Sequence, residues 1–393
     1  MDFWAGELQN RRKSRITKLI ILSLILLLII AIIVMFIIYY NNVEFRTWCD
    51  ENVIKKEILQ DDVKTIEINK NDNVQVYAYD KYICILQKKK IDFYNRVGSK
   101  VGSIDIDIVN AEFVSAGRYL AISEKDGQKF YLISGKEKIF EKEIEGTISE
   151  INVSRNGYIS IIISNTSYKS VIDVFNRNGE EIFRTNLVTS RVVKTSISQD
   201  SKYLAIAEVD ISGIIIKSSI QIVSMELAQT NPSEAIIYKY EAPTDKLIMN
   251  INYQENQRLL CMYNDSIDML YNQENTELLK FDNTQLVYIT VGLNNKIVMV
   301  EENSTGKYVS ETYVNIINPI NNKKRQYITE NTAKAITTYS NKIAINFGTE
   351  LHIIGNNGIL IKKYKSNTEI NNVVMTDNLV AIIYNDKIAI VNF

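Results

Sequence analysis

One short apolar run decides the fold of this chain: Tyr119-Leu120-Ala121-Ile122-Ser123, which returns as Tyr203-Leu204-Ala205-Ile206-Ala207. Successive copies begin 36 to 55 residues apart, and a four-stranded propeller blade takes about 40–45 residues. The sequence therefore predicts a β-propeller. The other six copies are Tyr82–Leu86, Tyr158–Ile162, Arg258–Met262, Lys296–Val300, Lys342–Asn346 and Asn378–Ile382.

Each copy is predicted to be a strand that is buried on both faces, because apolar residues fill consecutive positions. Turn residues precede it, as in Ser115-Ala116-Gly117 and Gln199-Asp200-Ser201, and others follow it, as in Asp126-Gly127. The fold class is therefore all-β. Eight blades are predicted, with a seven-bladed ring as the alternative; the eight cover about 73–106, 108–145, 147–187, 190–240, 246–282, 285–329, 332–364 and 369–393.

The last predicted blade is one strand short, because the chain stops at Phe393 after its third strand. We expect the missing fourth strand to come from Lys64–Ile68, which precedes the first blade. Such closure would hide both free sheet edges of the ring.

An uncharged apolar run of 22 residues, 19–40, lies near the N-terminus. A helix of that length reaches about 33 Å, enough to cross a bilayer core of about 30 Å. Basic residues cluster before the run, between Arg11 and Lys18, so the tail is expected inside and the rest outside the cytoplasmic membrane. The run is too long for a cleaved signal peptide, and no small-residue cleavage site follows it. We therefore predict a single-pass signal anchor in contact with the lipid bilayer.

Four segments follow from these patterns: a cytoplasmic tail (1–18), a transmembrane anchor (19–40), a linker (41–62) and a propeller ectodomain (63–393). Within the linker, Phe45, Trp48, Ile54 and Ile58 recur at loosely helical spacing. A short stalk helix packed on the ring is one prediction, and an irregular linker is the other.

Composition excludes several classes of function. The net charge is −1, with +3 in the tail and −4 in the remainder, so no nucleic-acid partner is expected. Cys84 and Cys261 lie inside apolar runs and are predicted to be buried free thiols. With three cysteines and the single histidine His352, a site of thiolates or imidazoles is not expected. The sequence therefore predicts no catalytic, cofactor-binding or metal-ligating residue.

Two patterns could mark a site, and each also has a structural interpretation. His352 alternates with apolar neighbours on a predicted strand, which favours a core or strand-surface histidine over a catalytic one. Asp105 and Asp107 alternate with isoleucines, and we interpret them as one polar face of an exposed outer strand, with a calcium site as the alternative.

The segments Gly117–Ile122 and Ser201–Ile206 resemble WD-like and related bacterial propeller repeats. With its basic tail, anchor and propeller, the chain also resembles an uncharacterised family of bacterial membrane-anchored propeller proteins, a domain-of-unknown-function family. No Trp-Asp dipeptide closes a blade, and both tryptophans, Trp4 and Trp48, lie outside the predicted ring. The resemblance implies the fold and brings no active residues with it.

Two functions remain open at this point. The first is an extracytoplasmic binding or scaffolding propeller with a protein partner, because propellers present many loops on a rigid ring. The alternative is an enzyme whose carboxylates converge in the central channel from separate blades. Surplus length marks three loops as candidate functional segments: Val209–Gly213, Ala228–Ser233 and Glu301–Lys307.

Overall fold

The computed structural model describes residues 3–54, 56, 63–69, 73–281, 286–304 and 310–393. The chain divides into two compact units, Met1–Glu57 and Ile58–Phe393. The first is helical, and the second is built from strands.

The N-terminal unit contains helix α1 (Phe3–Asn41) and helix α2 (Val43–Asn52). Residues Lys18–Asn41 of α1 are long and apolar enough to cross a membrane, and the apolar side chains of this segment are exposed. Asn42 caps α2, because its side-chain oxygen accepts a hydrogen bond of 2.9 Å from the backbone N–H of Phe45.

A polar contact fixes the two helices to each other. The Tyr39 hydroxyl donates a 2.6 Å hydrogen bond to Asp50, and Lys56 forms a 2.8 Å ion pair with the same carboxylate. The predicted stalk helix therefore exists, although it ends at Asn52 and does not reach Ile54. Ile58 lies outside the described residues, and packing of this helix on the ring stays a prediction.

Among the described residues, the second unit forms an eight-bladed propeller. Each blade is a four-stranded antiparallel sheet. Blades 1 to 4 contain, in order, β2 (Gln75–Tyr79), β3 (Tyr82–Gln87), β4 (Lys90–Tyr94) and β5 (Lys100–Asp105); β6 (Ala111–Ala116), β7 (Tyr119–Glu124), β8 (Lys129–Ser134) and β9 (Glu137–Glu143); β10 (Thr147–Val153), β11 (Ile159–Ser164), β12 (Ser170–Phe175) and β13 (Glu181–Leu187); and β14 (Ser190–Ile197), β15 (Tyr203–Asp210), β16 (Lys217–Ser224) and β17 (Ile236–Glu241).

Blade 4 also carries a short helix, α3 (Met225–Thr230), between its third and fourth strands. Blades 5 to 7 contain β18 (Ile248–Tyr253), β19 (Leu259–Tyr263), β20 (Ser266–Tyr271) and β21 (Glu274–Lys280); β22 (Leu286–Thr290), β23 (Ile297–Ser304), β24 (Ser310–Ile317) and β25 (Lys324–Thr329); and β26 (Ala335–Tyr339), β27 (Lys342–Asn346), β28 (Glu350–Gly355) and β29 (Leu360–Lys365).

Blade 8 joins the two ends of the propeller. It contains β30 (Asn372–Met375), β31 (Leu379–Ile383) and β32 (Lys387–Asn392), and β1 (Lys64–Glu67) supplies its fourth strand. Ile66 pairs with Ile388 in an antiparallel register. The predicted closure is thus confirmed, and so is the count of eight blades over the alternative of seven.

The apolar runs are the second strands of the eight blades, and both of their faces are buried. Eight hydrophobic clusters lie between successive blades, one at each interface. The cluster between blades 8 and 1 packs Ile83 and Ile85 against Ile388 and Ile390. Cys84 and Cys261 are buried free thiols, as predicted, and burial raises the pKa of both.

Side-chain amides tie the inner strands of neighbouring blades together. Gln75 of blade 1 accepts a 2.7 Å hydrogen bond from the backbone N–H of Ala111 in blade 2 and donates one of 3.0 Å to its carbonyl. Asn152 donates to the Thr195 carbonyl at 2.8 Å, and Gln254 donates to the Val291 carbonyl at 3.0 Å. These bonds satisfy backbone groups at the inner edges of blades 2, 4 and 6.

A polar position repeats in the third strands of seven blades. In each blade it lies opposite the fourth residue of the apolar run, for example Asp173 opposite Ile161 and His352 opposite Ile345. Blade 8 has Ile390 there instead, opposite Ala381. The seven polar members are Asp92, Tyr131, Asp173, Gln221, Asp268, Asn315 and His352.

Each member of this polar belt bonds to another polar side chain. Asp268 accepts from Lys246 at 2.9 Å, and Asn315 accepts from Gln326 at 2.9 Å. Asp173 pairs with Arg184 at 3.1 Å, yet its pKa is raised to about 6, mainly by burial. The sheets thus carry buried polar groups in their outer halves, and most of them are neutral or paired with a cation.

Deletion of residues 63–68 should destabilise the ring strongly. It removes the four register pairs of β1 and exposes the edge of β32, at a cost of roughly 4 kcal/mol for about four backbone hydrogen bonds. A propeller fragment beginning at Asn73 should therefore have a much lower melting temperature than one beginning at Asn42. Equal melting temperatures would show that β1 does not close the ring.

Asp173→Asn should change the pH dependence of stability. The Asp173 pKa is about 6 in the folded state and about 4 when unfolded, so the folded state loses stability as pH rises between these values. Above pH 6 this loss lowers the free energy of unfolding by roughly 3 kcal/mol. We expect Asp173→Asn to raise the melting temperature at pH 7.5 and to have little effect at pH 4.

The exposed carboxylate of Asp105 provides the matched control, because Asp105→Asn removes an exposed charge where Asp173→Asn removes a buried one. Melting of the propeller fragment that begins at Asn42 would be followed across this pH range. If Asp173→Asn and Asp105→Asn gave the same profile, the buried carboxylate would not be the source of the pH dependence.

Candidate functional site

The strand order gives the ring two distinct faces. The front face carries the turns between the first and second and between the third and fourth strands of every blade. The back face carries the turns between the second and third strands and the connections between blades. The first strands surround the central channel, so the first turn of each blade stands at its front opening.

The channel mouth is a cavity of about 560 Å³ at this opening. All eight blades contribute side chains to it, at or just before their first turns. One lining residue from each blade, in ring order, gives Tyr77, Ser115, Arg155, Gln199, Gln254, Asn294, Tyr339 and Asp377.

Neutral hydrogen-bonding groups dominate the lining. The hydroxyls of Tyr77 and Ser115 lie 3.3 Å apart, and burial raises the pKa of Tyr77. The pKa of Tyr339 is raised to about 12, first by burial and then by the carboxylates of Asp377 and Asp80. Both phenols are therefore protonated at neutral pH and are available as donors and acceptors.

The charged groups of the mouth are few. Arg155 and Lys194 come from blades 3 and 4, and Asp377 comes from blade 8. Lys194 forms a 2.9 Å ion pair with Glu150. Burial raises the pKa of Glu150, and Lys194 opposes that shift. Arg155 and Asp377 are exposed, so the mouth presents one accessible charge of each sign.

The described residues that line the mouth bring no pair of carboxylates together. Among the described residues that line the mouth, Asp377 alone contributes a carboxylate, so no pair of carboxylates faces across it. The described part of the chain also holds no group of three or more histidine, cysteine, aspartate or glutamate side chains placed to bind a metal ion. Hydrogen bonding is the chemistry that this lining supports.

A larger cavity, of about 950 Å³, lies beside the mouth at the junction of blades 8 and 1. Asp377 lines both cavities. Asp80 and Arg96 of blade 1 line only the larger one, next to the C-terminal Phe393. The junction that closes the ring therefore also shapes this part of the front face.

His352 does not line either cavity. It lies on β28, as predicted, and its side chain is 2 % exposed. Its Nδ1 is 2.8 Å from the Tyr327 hydroxyl, and its Nε2 is 3.2 Å from Glu350. The hydrogen bond from His352 and the nearby Lys363 lower the pKa of Glu350 to about 2. His352 is thus the blade 7 member of the polar belt.

The prediction that Asp105 and Asp107 lie on one face of an exposed outer strand is confirmed for Asp105 and wrong for Asp107. Asp105 is an exposed residue at the end of β5, but the strand stops there, and Asp107 lies in the connection to blade 2. Asp107 pairs with both Lys129 and Lys89, and these two cations lower its pKa to about 2. Asp107 is therefore held by two ammonium groups, one from each lysine.

The three long loops are divided between the front and back faces of the ring. Ala228–Ser233 belongs to α3 and the 3-10 turn Pro232–Glu234 after it, on the front face. Val209–Gly213 includes the start of the turn between β15 and β16, on the back face. The third loop, Glu301–Lys307, extends β23 and then leaves the described residues at 305. No described residue of these three loops lines the channel mouth.

The residues of the mouth were missed at the sequence level. Their signal was present, because the sequence predicts turns such as Ser115-Ala116-Gly117 directly before the apolar runs. Tyr77 and Asp377, however, are 300 positions apart and meet only when the ring closes. If all first turns are placed on one face of the predicted propeller, most of the residues that line the mouth are identified.

Comparison with solved structures finds other propellers. BamB from Moraxella catarrhalis is 12 % identical, with a TM-score of 0.50, and the match covers 84 % of this chain and 98 % of that one. The dihydro-heme d1 dehydrogenase NirN, in complex with DHE, is 10 % identical, with a TM-score of 0.52 and coverage of 81 % and 69 %. At these identities the likeness shows the fold alone.

A comparison with curated proteins finds no match. A family model does match, over residues 59–393, which comprise the whole propeller. This protein belongs to the DUF5711 family, a family of unknown function.

Proposed function

We propose that this protein is a membrane-anchored propeller that binds a protein partner at its channel mouth, outside the cytoplasmic membrane of a bacterial cell. The observation that carries the proposal is the mouth itself: eight blades bring neutral hydrogen-bonding side chains and one exposed charge of each sign to one opening. Such a surface suits recognition by many polar contacts on a rigid scaffold.

The lining also suggests what the partner presents. Arg155 belongs to blade 3 and Asp377 to blade 8, so opposite charges stand at different positions around the opening. A protruding loop or chain end with both an acidic and a basic side chain would pair with both. Tyr77 and Tyr339 are half-buried and place phenol rings at the mouth, and tyrosine is enriched where proteins bind one another.

The anchor and orientation rest on the N-terminal sequence. The segment 19–40 is proposed to span the membrane, with the tail 1–18 inside and the linker 41–62 and ring 63–393 outside. The exposed apolar side chains of α1 support this proposal, because a water-exposed helix of this length and composition would be costly.

A membrane-impermeant protease should digest the ring in cells stripped of their wall, and it should spare an epitope fused to the N-terminal tail. The expectation follows from the basic cluster between Arg11 and Lys18, which retains the tail inside. Immunoblotting of intact and permeabilised cells would measure it. A ring that is protected until the cells are permeabilised would place it in the cytoplasm.

The double variant Arg155→Glu/Asp377→Lys should abolish partner capture. Reversing both exposed charges places like charges opposite the partner, and we expect at least about a tenfold loss of cross-linked product, equivalent to about 1.4 kcal/mol. The full chain, tagged at its N-terminus, would be cross-linked in cells, and the captured proteins would be identified and quantified by mass spectrometry.

Arg177→Glu is the matched control, because Arg177 is an exposed arginine in the other front turn of blade 3 and lies outside the mouth. It should leave capture unchanged, and none of the variants should shift the melting temperature. Capture that survives the double charge reversal would move the binding surface away from the channel mouth.

A further inference from the structure

Among the described residues of the propeller, the most exposed apolar side chain, Ile214, stands on the back face, in the turn between β15 and β16. This turn, 211–216, is called the isoleucine tip here. Ile214 is fully exposed, and Ile211, Ile215 and Ile216 are 47 %, 57 % and 52 % exposed. Isolated exposed apolar residues are ordinary, but contiguous ones indicate an interaction surface.

Neighbouring blades and connections extend the patch. Ser190, at the start of β14, pairs with Asp210 at the base of the tip, and Val188, just before it, is 69 % exposed. The backbone N–H of Lys169 in blade 3 bonds to the carbonyl of Leu187, beside Val188. Tyr168, which precedes this lysine, is also exposed.

Cations surround this apolar patch. Lys217 follows the tip and pairs with Asp210 in the sheet register, and Arg191 pairs with Val209. Both side chains are exposed, as is that of Lys169. Asp210 is the carboxylate at the base of the tip, and its side chain accepts hydrogen bonds of 2.8 and 2.6 Å from the backbone and hydroxyl of Ser212. The rim therefore has an excess of positive charge.

We propose that the isoleucine tip inserts into the interfacial layer of an anionic lipid bilayer. The tip is convex, since its apolar side chains project from a turn and do not line a groove, so it suits insertion into a soft surface. Aliphatic side chains with an adjoining tyrosine and a basic rim are the chemistry of interfacial membrane binding. The proposal shares with the proposed function only the membrane anchor, which keeps the propeller at a bilayer.

The contact has a consequence for the channel mouth. The tip lies on the back face and the mouth on the front face. A ring that rests on the bilayer through the tip turns its mouth away from the lipid, toward a partner in the aqueous phase.

The test places an environment-sensitive fluorophore at the tip of the full chain. The chain would carry Cys49→Ser and Ile215→Cys, and it would be reconstituted in nanodiscs of equal parts phosphatidylethanolamine and phosphatidylglycerol. Cys84 and Cys261 are buried, and burial raises the pKa of both, so they should not react with the label. Nitroxide-labelled lipids in the disc then act as quenchers.

The matched protein carries the label at Asn341→Cys, an exposed position in the first turn of blade 7 on the front face. At the tip we expect a blue-shifted emission, and we expect the nitroxide lipids to quench roughly half of the emission intensity. At position 341 we expect neither the blue shift nor the quenching. The tip label should leave the melting temperature unchanged, because Ile215 makes no core contact.

Neutral lipids and variants of the basic rim test whether electrostatic attraction to anionic lipid contributes to the contact. Each basic residue near an anionic surface changes binding by about fivefold, so replacement of phosphatidylglycerol by phosphatidylcholine, or Arg191→Gln/Lys217→Gln, should reduce quenching sharply. Quenching that is unchanged in neutral discs would overturn the assignment of an anionic lipid.

Two other results would overturn the contact itself. The first is an unquenched tip in a chain that remains in the nanodisc, which would leave a protein as the occupant of the patch. The second is equal quenching at positions 215 and 341, which would show only that the anchor holds the ring near lipid. Because neither result involves partner capture, failure of this inference and failure of the proposed function are distinguishable.

Discussion

Burial of both faces of every blade is the constraint on which this structure depends. A four-stranded sheet whose second strand is apolar on both sides is stable only between two other sheets. Seven of the eight interfaces join blades that follow each other along the chain. The eighth must join the ends, and there Ile83 and Ile85 pack against Ile388 and Ile390 while β1 completes the sheet of blade 8. Without that interface the two terminal blades would expose apolar faces to water.

Polar contacts then determine how the blades are oriented. The amides of Gln75, Asn152 and Gln254 connect inner strands across three interfaces, at the edge of the channel. The polar belt acts farther out, where each member bonds within its own blade or to a neighbour, as His352 does with Tyr327 of blade 6. A polar group inside a sheet must find a partner, which favours one arrangement of the strands over others. Apolar packing supplies the stability, and these bonds add specificity of arrangement.

The sequence predicted the architecture well because strand packing leaves a local signal. Eight apolar runs gave eight second strands, and Lys64–Ile68 was correctly assigned to the last blade. Asp107 was misplaced because alternation of polar and apolar residues continues past the end of β5, where hydrogen bonding to β4 stops. The polar belt was missed although its members occupy one register position, because their types differ between blades: aspartate, tyrosine, glutamine, asparagine and histidine.

The candidate site could not be predicted in the same way, because its members share no local pattern. Tyr77 and Asp377 are at opposite ends of the propeller sequence, and both contribute to one mouth. Tyr339 lines the same mouth, and its pKa is raised first by burial and then by the charges of Asp377 and Asp80. This corner of the mouth is assembled across the junction of blades 8 and 1, which β1 stabilises. The strand that closes the ring therefore also holds this corner of the mouth together.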